Sequence, residues 1–267
     1  MKIVIVIQAR TSSTRLPNKV LLPVAGKPML ERMIERVGAA RGAFEMIVAT
    51  THLPGDDPIR SLCKKISVRC HSGHVTDLLD RHYSASAELN ADVVVKIPSD
   101  CPLISPSVIE RVLNVFLDHL NYDFVSNLHP ATYPDGNDVE VITFEALERA
   151  LTQAKFDYQR EHTTPFFWDQ PELFRIANVE WETGLDYSMS HRWTVEYPED
   201  YQFVRSVFEH FGESVFELSE ILRLLEQKPE LMEINRTYAG VNWYRHNLEQ
   251  LKTTTAEQTR FAPAEQD

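Results

Sequence analysis

Long apolar runs and paired cysteines are both missing from this sequence. The first apolar run, residues 3–7, has only five residues before Gln8, which is too short for a signal peptide, and no later run approaches the length needed to span a membrane. The three cysteines, Cys63, Cys70 and Cys101, are odd in number and show no C-x-x-C spacing, so neither a disulfide framework nor a zinc knuckle is predicted. We expect a soluble, cytoplasmic protein.

Positive charge is also in short supply. The 267 residues include 27 Lys and Arg against 39 Asp and Glu, which gives a net charge of -12. Such a chain repels the phosphate backbone of nucleic acids and anionic membrane surfaces. We therefore expect neither a nucleic acid polymer nor a membrane as a partner, whereas a local basic pocket for a mononucleotide is still compatible with the composition.

Strand and helix patterns alternate along most of the chain. Residues 3–7, "IVIVI", are apolar at every position, which is typical of a strand covered on both faces of a parallel sheet. Further strands are predicted at 46–50, 67–70, 92–97, 122–127 and 139–143. Helices are predicted at 57–66, at 144–154 and from a Thr76 cap to about residue 89. Three more helices are predicted to begin at Pro28, at Ser105 and Pro106, and at Pro198. The segment 192–195, "RWTV", is predicted to end a late strand. This alternation predicts an α/β fold with a mostly parallel sheet.

No linker or internal repeat divides the chain. We expect a single domain over 1–252, with a C-terminal helical extension from about residue 212 and a disordered tail over 253–267, where the sequence is polar and unpatterned. The amphipathic stretch at 242–251 has two interpretations, a helix packed on its own domain or part of a dimer contact. A homodimer is the expected assembly.

The loop after the first strand concentrates cations in a chain that has few of them. Arg10, Arg15 and Lys19 lie among hydroxyl residues in "QARTSSTRLPNK". In open α/β sheets this first strand-to-helix loop is the usual phosphate cradle. Glycine is absent from the loop, so support for a dinucleotide-binding or P-loop motif is weak, and we predict an anion site made by side chains. The alternative is that these cations pair with surface carboxylates.

Two carboxylates follow predicted strands and are candidate ligands for Mg²⁺. Asp100 comes after the apolar run 92–97, and Glu196 comes between 192–195 and the helix start at Pro198. A bound triphosphate usually needs Mg²⁺, held by one or two carboxylates and the phosphate oxygens. The alternatives are a turn role for Asp100 and a helix N-terminal charge for Glu196.

Six motifs in order carry a resemblance to a known family. They are "QARTSSTRLPNKVLLPVAGKPMLERMIERV", "HSGHVTDLLDRHY", "SDCPLI", "TYPDGNDVEV", "REHTTPF" and "TVEYPEDY". With them the chain resembles the cytidylyltransferases that activate acidic sugars, most closely those of the spore coat polysaccharide SpsF type. It is also similar to the 3-deoxy-manno-octulosonate and acylneuraminate cytidylyltransferases. The resemblance covers the chain from the first strand to about Asn235.

The resemblance implies a three-layer α/β/α fold of the GT-A-like nucleotide-diphospho-sugar transferase type and assigns roles to particular residues. The implied nucleotide-binding residues are Gln8, Ala9, Arg10, Ser13, Arg15, Lys19, Ser72, Gly73, Asp77, Arg81 and Asp100. The implied catalytic residues are Arg10, Arg15, Lys19 and Asp100, with Asp100 and Glu196 as ligands of Mg²⁺. The acceptor would be bound by Tyr133, Asp135, Asp138, Glu140, Arg160, Glu161 and His162.

The implied reaction transfers CMP from CTP to a small acidic acceptor, a sugar acid or a molecule with a phosphate or phosphonate group, and releases pyrophosphate. The setting would be the biosynthesis of a surface polysaccharide or glycoconjugate. Asp138, Glu140 and His162 are candidates for the general base, since carboxylates accept protons and an imidazole can titrate near neutral pH. Each of the three has an alternative role as a hydrogen-bond acceptor for the substrate or as a contact that fastens a loop. Two alternatives stay open: a glycosyltransferase of the same fold, which "SDC" disfavours because it supplies one Asp instead of D-x-D, and a nucleotide-binding homologue without catalysis.

Four positions depart from the family pattern. Asn18 stands where the family usually has Gly, and Asn tolerates the left-handed backbone conformation better than most residues. Pro98 and Ser99 replace Thr and Gly before Asp100, which adds bulk beside the nucleotide. Glu196 replaces an Asp, and its longer side chain changes the distance to any shared metal.

Overall fold

The central strand explains why the sequence begins with an uninterrupted apolar run. The computed structural model describes residues 1–241, in which β1 spans Ile3–Gln8 and is paired on both sides. Ile3, Ile5 and Ile7 point into one hydrophobic core, whereas Val4 and Val6 point into a second core on the opposite face. Both faces of β1 are therefore covered, and apolar side chains are needed at every position.

A seven-stranded sheet forms the middle layer. Its strands are β1, β4 (Phe44–Thr51), β5 (Arg69–Gly73), β6 (Val93–Pro98), β7 (Phe124–Ser126), β8 (Glu140–Thr143) and β9 (Ile176–Asn178), while β2 (Pro23–Val24) and β3 (Lys27–Pro28) form a separate hairpin. The strand order is β5-β4-β1-β6-β8-β7-β9. Strand β8 runs antiparallel to β6 and β7, and the other neighbours are parallel. The predicted mostly parallel mixed sheet is confirmed.

Helices cover both faces of the sheet. They are α1 (Met29–Gly38), α2 (Asp57–Lys65), α3 (Leu78–Glu88), α4 (Pro106–Asp118), α5 (Phe144–Gln153), α6 (Asp157–Glu161), α7 (Pro165–Asp169), α8 (Pro198–Phe211) and α9 (Leu218–Gln227). Apolar residues of α1, α2, α4, α8 and α9 pack on one face, and those of α3, α5, α6 and α7 pack on the other. The arrangement is the predicted three-layer α/β/α architecture.

Several local predictions are wrong in instructive ways. The helix expected from a Thr76 cap begins at Leu78, because the Asp77 carboxylate accepts a hydrogen bond from the Asp80 N–H and caps it. Pro28 precedes α1 instead of being its first residue. The late strand expected at 192–195 does not form; its backbone groups bond to two loops, and the segment makes one isolated bridge, between Asp135 and Arg192.

The end of the described chain follows α9. Short 3₁₀ turns cover Pro229–Glu233 and Arg236–Tyr238 before Val241. The predicted disordered tail at 253–267 and the amphipathic stretch at 242–251 lie outside the described residues, and the predicted domain boundaries stay a prediction. Within residues 1–241, every helix is too short or too polar to cross a membrane.

Candidate active site

A cavity of about 370 Å³ opens at the carboxyl ends of β1 and β6, where ligands bind in open α/β sheets. Fifteen of the residues singled out from the sequence line it: Gln8, Ala9, Arg10, Ser13, Arg15, Lys19, Arg81, Asp100, Tyr133, Asp135, Asp138, Glu140, Glu161, His162 and Glu196. Ser72, Gly73, Asp77 and Arg160 are not among its lining residues. The basic loop and the carboxylates expected opposite it therefore share one cavity.

The base of the cationic loop is fixed by a buried carboxylate. Asp56 accepts hydrogen bonds from the Thr11 N–H at 2.8 Å and the Thr11 hydroxyl at 2.7 Å. It also accepts bonds from the N–H and hydroxyl of Thr51 at the end of β4. Burial opposes ionisation of this carboxyl, but these hydrogen bonds outweigh it and lower the pKa of Asp56. Asp56 thereby ties the start of the loop to the sheet.

Lys19 and Arg15 reach from the loop to the carboxylates opposite. Lys19 Nζ donates to the Val195 carbonyl at 2.6 Å and lies 3.6 Å from Asp100 Oδ2. Arg15 Nη2 lies 2.5 Å from Glu196 Oε1. Arg10 is exposed at the cavity wall. Two cations therefore already contact the two candidate metal ligands, which places positive and negative charge on facing sides of the cavity.

Three backbone segments meet to form the opposite wall. The Trp193 N–H donates to the Asp135 carbonyl at 2.7 Å, and the Val195 N–H donates to the Asp100 carbonyl at 2.7 Å. Gly136 lies in the crossing with φ +106°, and a Cβ there would be 2.8 Å from the Thr194 nitrogen. Only glycine fits this close approach without displacement of the backbone. The segment 192–195 thus joins the loops that carry Asp100 and Asp135.

Arg192 is the buried cation of this wall. Its side chain is 1% exposed, and its guanidinium binds both carboxylate oxygens of Asp200, at 2.8 and 3.0 Å. It also lies 3.6 Å from Asp135 Oδ2 and 3.4 Å from Glu196 Oε2. A buried ion pair is stable only when its remaining hydrogen-bonding groups also have partners. Asp200 meets this condition, because it accepts further hydrogen bonds from the backbone N–H groups of Glu196 and Tyr197.

The carboxyl groups of the acidic wall are hard to ionise together. Burial, followed by the neighbouring Asp100 carboxylate, raises the pKa of Asp138 to about 7, and burial and Asp138 raise the pKa of Asp135 well above its usual value. Burial, with Lys96 and Arg10 nearby, lowers the pKa of His162 to about 4. The expectation that His162 titrates near neutral pH is therefore wrong, because a desolvated imidazole close to two cations stays neutral.

The predicted residues outside the cavity lining have structural contacts. Arg160 Nε bonds to Asp77 Oδ2 at 2.6 Å, which joins α6 to the capping residue of α3. Buried Arg81, which also lines the cavity, binds the carbonyls of His74 and Val75 and so holds the loop before α3. Ser72 and Gly73 end β5, and a Cβ at Gly73 would lie 3.0 Å from Arg81 Cγ. These contacts shape the loops around the cavity.

The carboxylates of the cavity differ in how well they suit Mg²⁺. Asp100 offers carboxylate oxygens in the cavity, which fits a hard cation that keeps several waters and phosphate ligands. Both Glu196 oxygens are bonded to guanidinium groups, those of Arg15 and Arg192. Among residues 1–241 there is no group of three or more His, Cys, Asp or Glu side chains arranged to hold a metal. Asp100 therefore fits a metal that is bound together with phosphates.

Comparison with known proteins decides the family. A family profile described as Cytidylyltransferase matches residues 4–252. The chain is 36% identical over 235 residues to the uncharacterized protein MJ1063 of Methanocaldococcus jannaschii, covering 88% of this chain and 95% of that protein. The chain belongs to the cytidylyltransferase family. The predicted enzyme class, a CTP-dependent nucleotidyltransferase, is thereby confirmed.

Other relatives agree with this family. The spore coat polysaccharide biosynthesis protein SpsF of Bacillus subtilis is 27% identical over 237 residues, which cover 85% of this chain and 95% of SpsF. A cytidylyltransferase structure from Leptospira borgpetersenii superposes with a TM-score of 0.82 at 30% identity, covering 87% of this chain and 97% of that one. The structure of a CMP:2-keto-3-deoxy-manno-octonic acid synthetase complexed with CTP superposes with a TM-score of 0.59 at 20% identity, covering 79% of this chain and 99% of that one. This similarity supports the fold.

Three residues that line or support the cavity were not singled out from the sequence. Asp56 lies in the loop before α2, Lys96 lies within an otherwise apolar strand, and Arg192 precedes a segment interpreted as a strand. Only Lys96 gave a local signal, since a lysine inside "VVVKI" must bury its ammonium group or reach a cavity. The partners of the other two come from distant parts of the chain.

Proposed function

We propose that this protein transfers CMP from CTP to a small acidic acceptor, a sugar acid or a molecule bearing a phosphate or phosphonate group. The family gives the reaction class, and the single observation that supports our residue assignment is the shared cavity in which Arg10, Arg15 and Lys19 face Asp100. An acceptor oxygen attacks the α-phosphorus of CTP, the bond to the β-phosphate oxygen breaks, and pyrophosphate leaves.

The cationic loop stabilises the charge that moves during this reaction. Arg10, Arg15 and Lys19 are proposed to bind the triphosphate and the departing pyrophosphate oxygens, so that catalysis depends mainly on positioning and electrostatics. Asp100 is the proposed ligand of Mg²⁺, which when bound would neutralise phosphate charge. Glu196 is the proposed second ligand, available once Arg15 leaves it for the phosphates.

The remaining predicted residues are assigned to nucleotide or acceptor recognition. Gln8, Ala9, Ser13, Ser72, Gly73, Asp77 and Arg81 are proposed on the nucleotide side, and Tyr133, Asp135, Asp138, Glu140, Arg160, Glu161 and His162 on the acceptor side. Asp138 is the preferred general base, because a carboxyl with a pKa of about 7 can take a proton at neutral pH. His162, whose pKa is about 4, is assigned to hydrogen bonding.

The test is an assay of pyrophosphate release with CTP, Mg²⁺ and a panel of acceptors that includes 3-deoxy-manno-octulosonate and methylphosphonate. We expect release by the wild-type protein and none by a triple variant carrying Arg15→Ala, Lys19→Ala and Asp100→Ala. Normal turnover by the triple variant would reject the residue assignment. CTP binding without release for every acceptor would favour the non-catalytic alternative, and binding of nucleotide sugars in preference to CTP would favour a glycosyltransferase.

The biological setting is part of the same proposal. Similarity to SpsF supports a role in surface polysaccharide biosynthesis, of which a spore coat is one case. We propose a cytoplasmic location, because both the nucleotide and small acidic acceptors are cytoplasmic metabolites, and a homodimer is the assembly that we propose to test. Light scattering of the full chain measures the assembly, and a monomeric mass would remove the dimer from the proposal.

A further inference from the structure

A buried ion pair lies in the wall of the cavity. Lys96 on β6 and Glu140 on β8 are directly opposite each other in the antiparallel pairing, so their side chains lie on the same face of the sheet. Lys96 Nζ donates to Glu140 Oε2. The two side chains are 10% and 1% exposed, yet both residues line the cavity.

The hydrogen-bonding capacity of this pair is not used up. Glu140 Oε1 is buried and accepts no hydrogen bond from any group in residues 1–241. The ammonium group of Lys96 carries three donors, of which Glu140 takes one. A buried carboxylate oxygen without a donor carries a free-energy cost, because it has lost its hydration and gained no hydrogen bond in return. A ligand in the cavity that donates to Glu140 Oε1 would remove this cost.

Two imidazoles and an indole lie near the pair, in addition to the Asp138 carboxyl. His129, His162 and Trp168 line the same cavity, the charge of Lys96 reaches both imidazoles, and His129 packs against Trp168. Burial, with Lys96 nearby, lowers the pKa of His129 to about 3 and that of His162 to about 4, so both imidazoles are neutral at pH 7. A neutral imidazole has one donor and one acceptor nitrogen, and a hydroxyl group also donates and accepts. The surroundings therefore match hydroxyl groups.

An anionic group matches this part of the cavity poorly. The charges of Lys96 and Glu140 cancel, and Asp138 is close enough to Lys96 and Glu140 for its pKa to respond to both. A phosphate or phosphonate beside Lys96 would approach the Glu140 carboxylate at low dielectric, where like charges repel strongly. A hydroxyl group that donates to Glu140 and accepts from Lys96 meets no such penalty.

We propose that Lys96 and Glu140 determine acceptor specificity by binding adjacent hydroxyl groups of a sugar, one donating to Glu140 Oε1 and the next accepting from Lys96 Nζ. This rests on the proposed CMP transfer and narrows its acceptor to hydroxylated sugar acids, to the exclusion of phosphonates that lack carbon-bound hydroxyl groups. Neither residue is assigned to the chemical step. They are specificity-determining contacts with the acceptor.

The experiment replaces both charges at once, because removal of one partner would leave an unpaired buried charge and could unfold the protein. The test protein carries Lys96→Met and Glu140→Met. The control carries Lys2→Met and Glu45→Met, which remove an exposed Lys–Glu pair whose atoms lie 2.9 Å apart at the start of β1 and β4. Saturation-transfer NMR with CTP present measures binding of 3-deoxy-manno-octulosonate and of methylphosphonate, and calorimetry measures CTP binding alone.

We expect the test protein to keep its CTP affinity and lose sugar affinity by about tenfold or more, while the control keeps both. The wild type should bind the sugar in preference to methylphosphonate. Retained sugar binding in the test protein, preference for methylphosphonate, or absence of sugar binding by the wild type would each overturn the inference. Failure of the proposed function looks different, since it appears as a lack of CTP binding or of pyrophosphate release with any acceptor. Sugar binding is measured directly, so it decides the inference in that case as well.

Discussion

The two walls of the cavity hold their charges in different ways. On the cationic wall, the Arg15 side chain is 43% exposed and is paired with one carboxylate of the opposite wall. On the acidic wall, Arg192 is 1% exposed and is bonded to Asp200, which is fully buried. The Arg15 side chain is exposed enough for a ligand to bind it, whereas Arg192 is held in place by tertiary contacts. Binding groups and supporting groups are thus separable in this site.

The strongest test of this difference is the substitution Arg192→Met. Loss of the guanidinium leaves the buried Asp200 carboxylate without its cation, and we expect the free energy of unfolding to fall by about 3–5 kcal/mol. Urea denaturation followed by circular dichroism measures the change. The matched control is Arg15→Met, which removes the partly exposed ion pair with Glu196. This change should lower the free energy of unfolding by about 1 kcal/mol or less. Equal losses for the two variants would mean that the walls do not differ.

The second test concerns activity instead of stability. Lys19→Met should lower kcat/KM for pyrophosphate release by about 10²–10³-fold, because the variant lacks a preorganised cation beside the leaving group. Its melting temperature should change little, since the Lys19 ammonium group donates mainly to a single protein acceptor, the Val195 carbonyl. Lys64→Met, at an exposed position near the end of α2, serves as the control and should leave kcat/KM unchanged. Similar activities of the two variants would contradict the assignment of Lys19.

The third test concerns His82, a fully buried histidine of α3. Burial, followed by the charge of Lys96, lowers the pKa of His82 to about 3, against about 6.5 in an unfolded chain. Between these values the unfolded state binds the extra proton, so the free energy of unfolding falls as the pH is lowered from 6.5 toward 3. By pH 5, protonation of His82 in the unfolded state should have lowered the free energy of unfolding by about 2 kcal/mol relative to neutral pH.

The measurement is urea denaturation of the wild type and of His82→Gln at pH 7 and pH 5. We expect the variant to lose less stability over this range than the wild type, because it no longer has the buried imidazole. His210→Gln at an exposed position should behave like the wild type. An unchanged pH dependence in His82→Gln would show that the imidazole is accessible to protons in the folded state.

Local sequence patterns were sufficient to predict the central strand and the position of Asp100 at its neighbour's carboxyl end. Apolar residues at every position of 3–7 predicted a strand covered on both faces, and β1 is buried in two cores. The position of Asp100 after an apolar run predicted its location at the carboxyl end of β6. These features depend on a few adjacent residues, because an alternating or continuous pattern of apolar residues indicates whether one face or both faces of a strand are buried.

Contacts between distant segments could not be predicted in this way. The segment 192–195 has the composition of a strand, yet its backbone bonds to the Asp100 and Asp135 loops instead of to a neighbouring strand. Asp77 is proposed on the nucleotide side, and its carboxylate also caps α3 and binds Arg160, a contact that the sequence did not indicate. Composition predicts that such groups need partners. It does not say which partners they find.

The sequence by itself determined the layered α/β fold, the cluster of cations after β1 and the family, because each depends on contiguous residues or on motifs in a fixed order along the chain. Only the tertiary structure decided that Asp56 anchors the loop, that Arg192 is locked by Asp200, and that Lys96 meets Glu140. The last pair is separated by 44 residues and is brought together by the antiparallel return of β8 beside β6. Strand order and register arise from packing of the whole chain, so side chains that meet across them leave no signal in local periodicity.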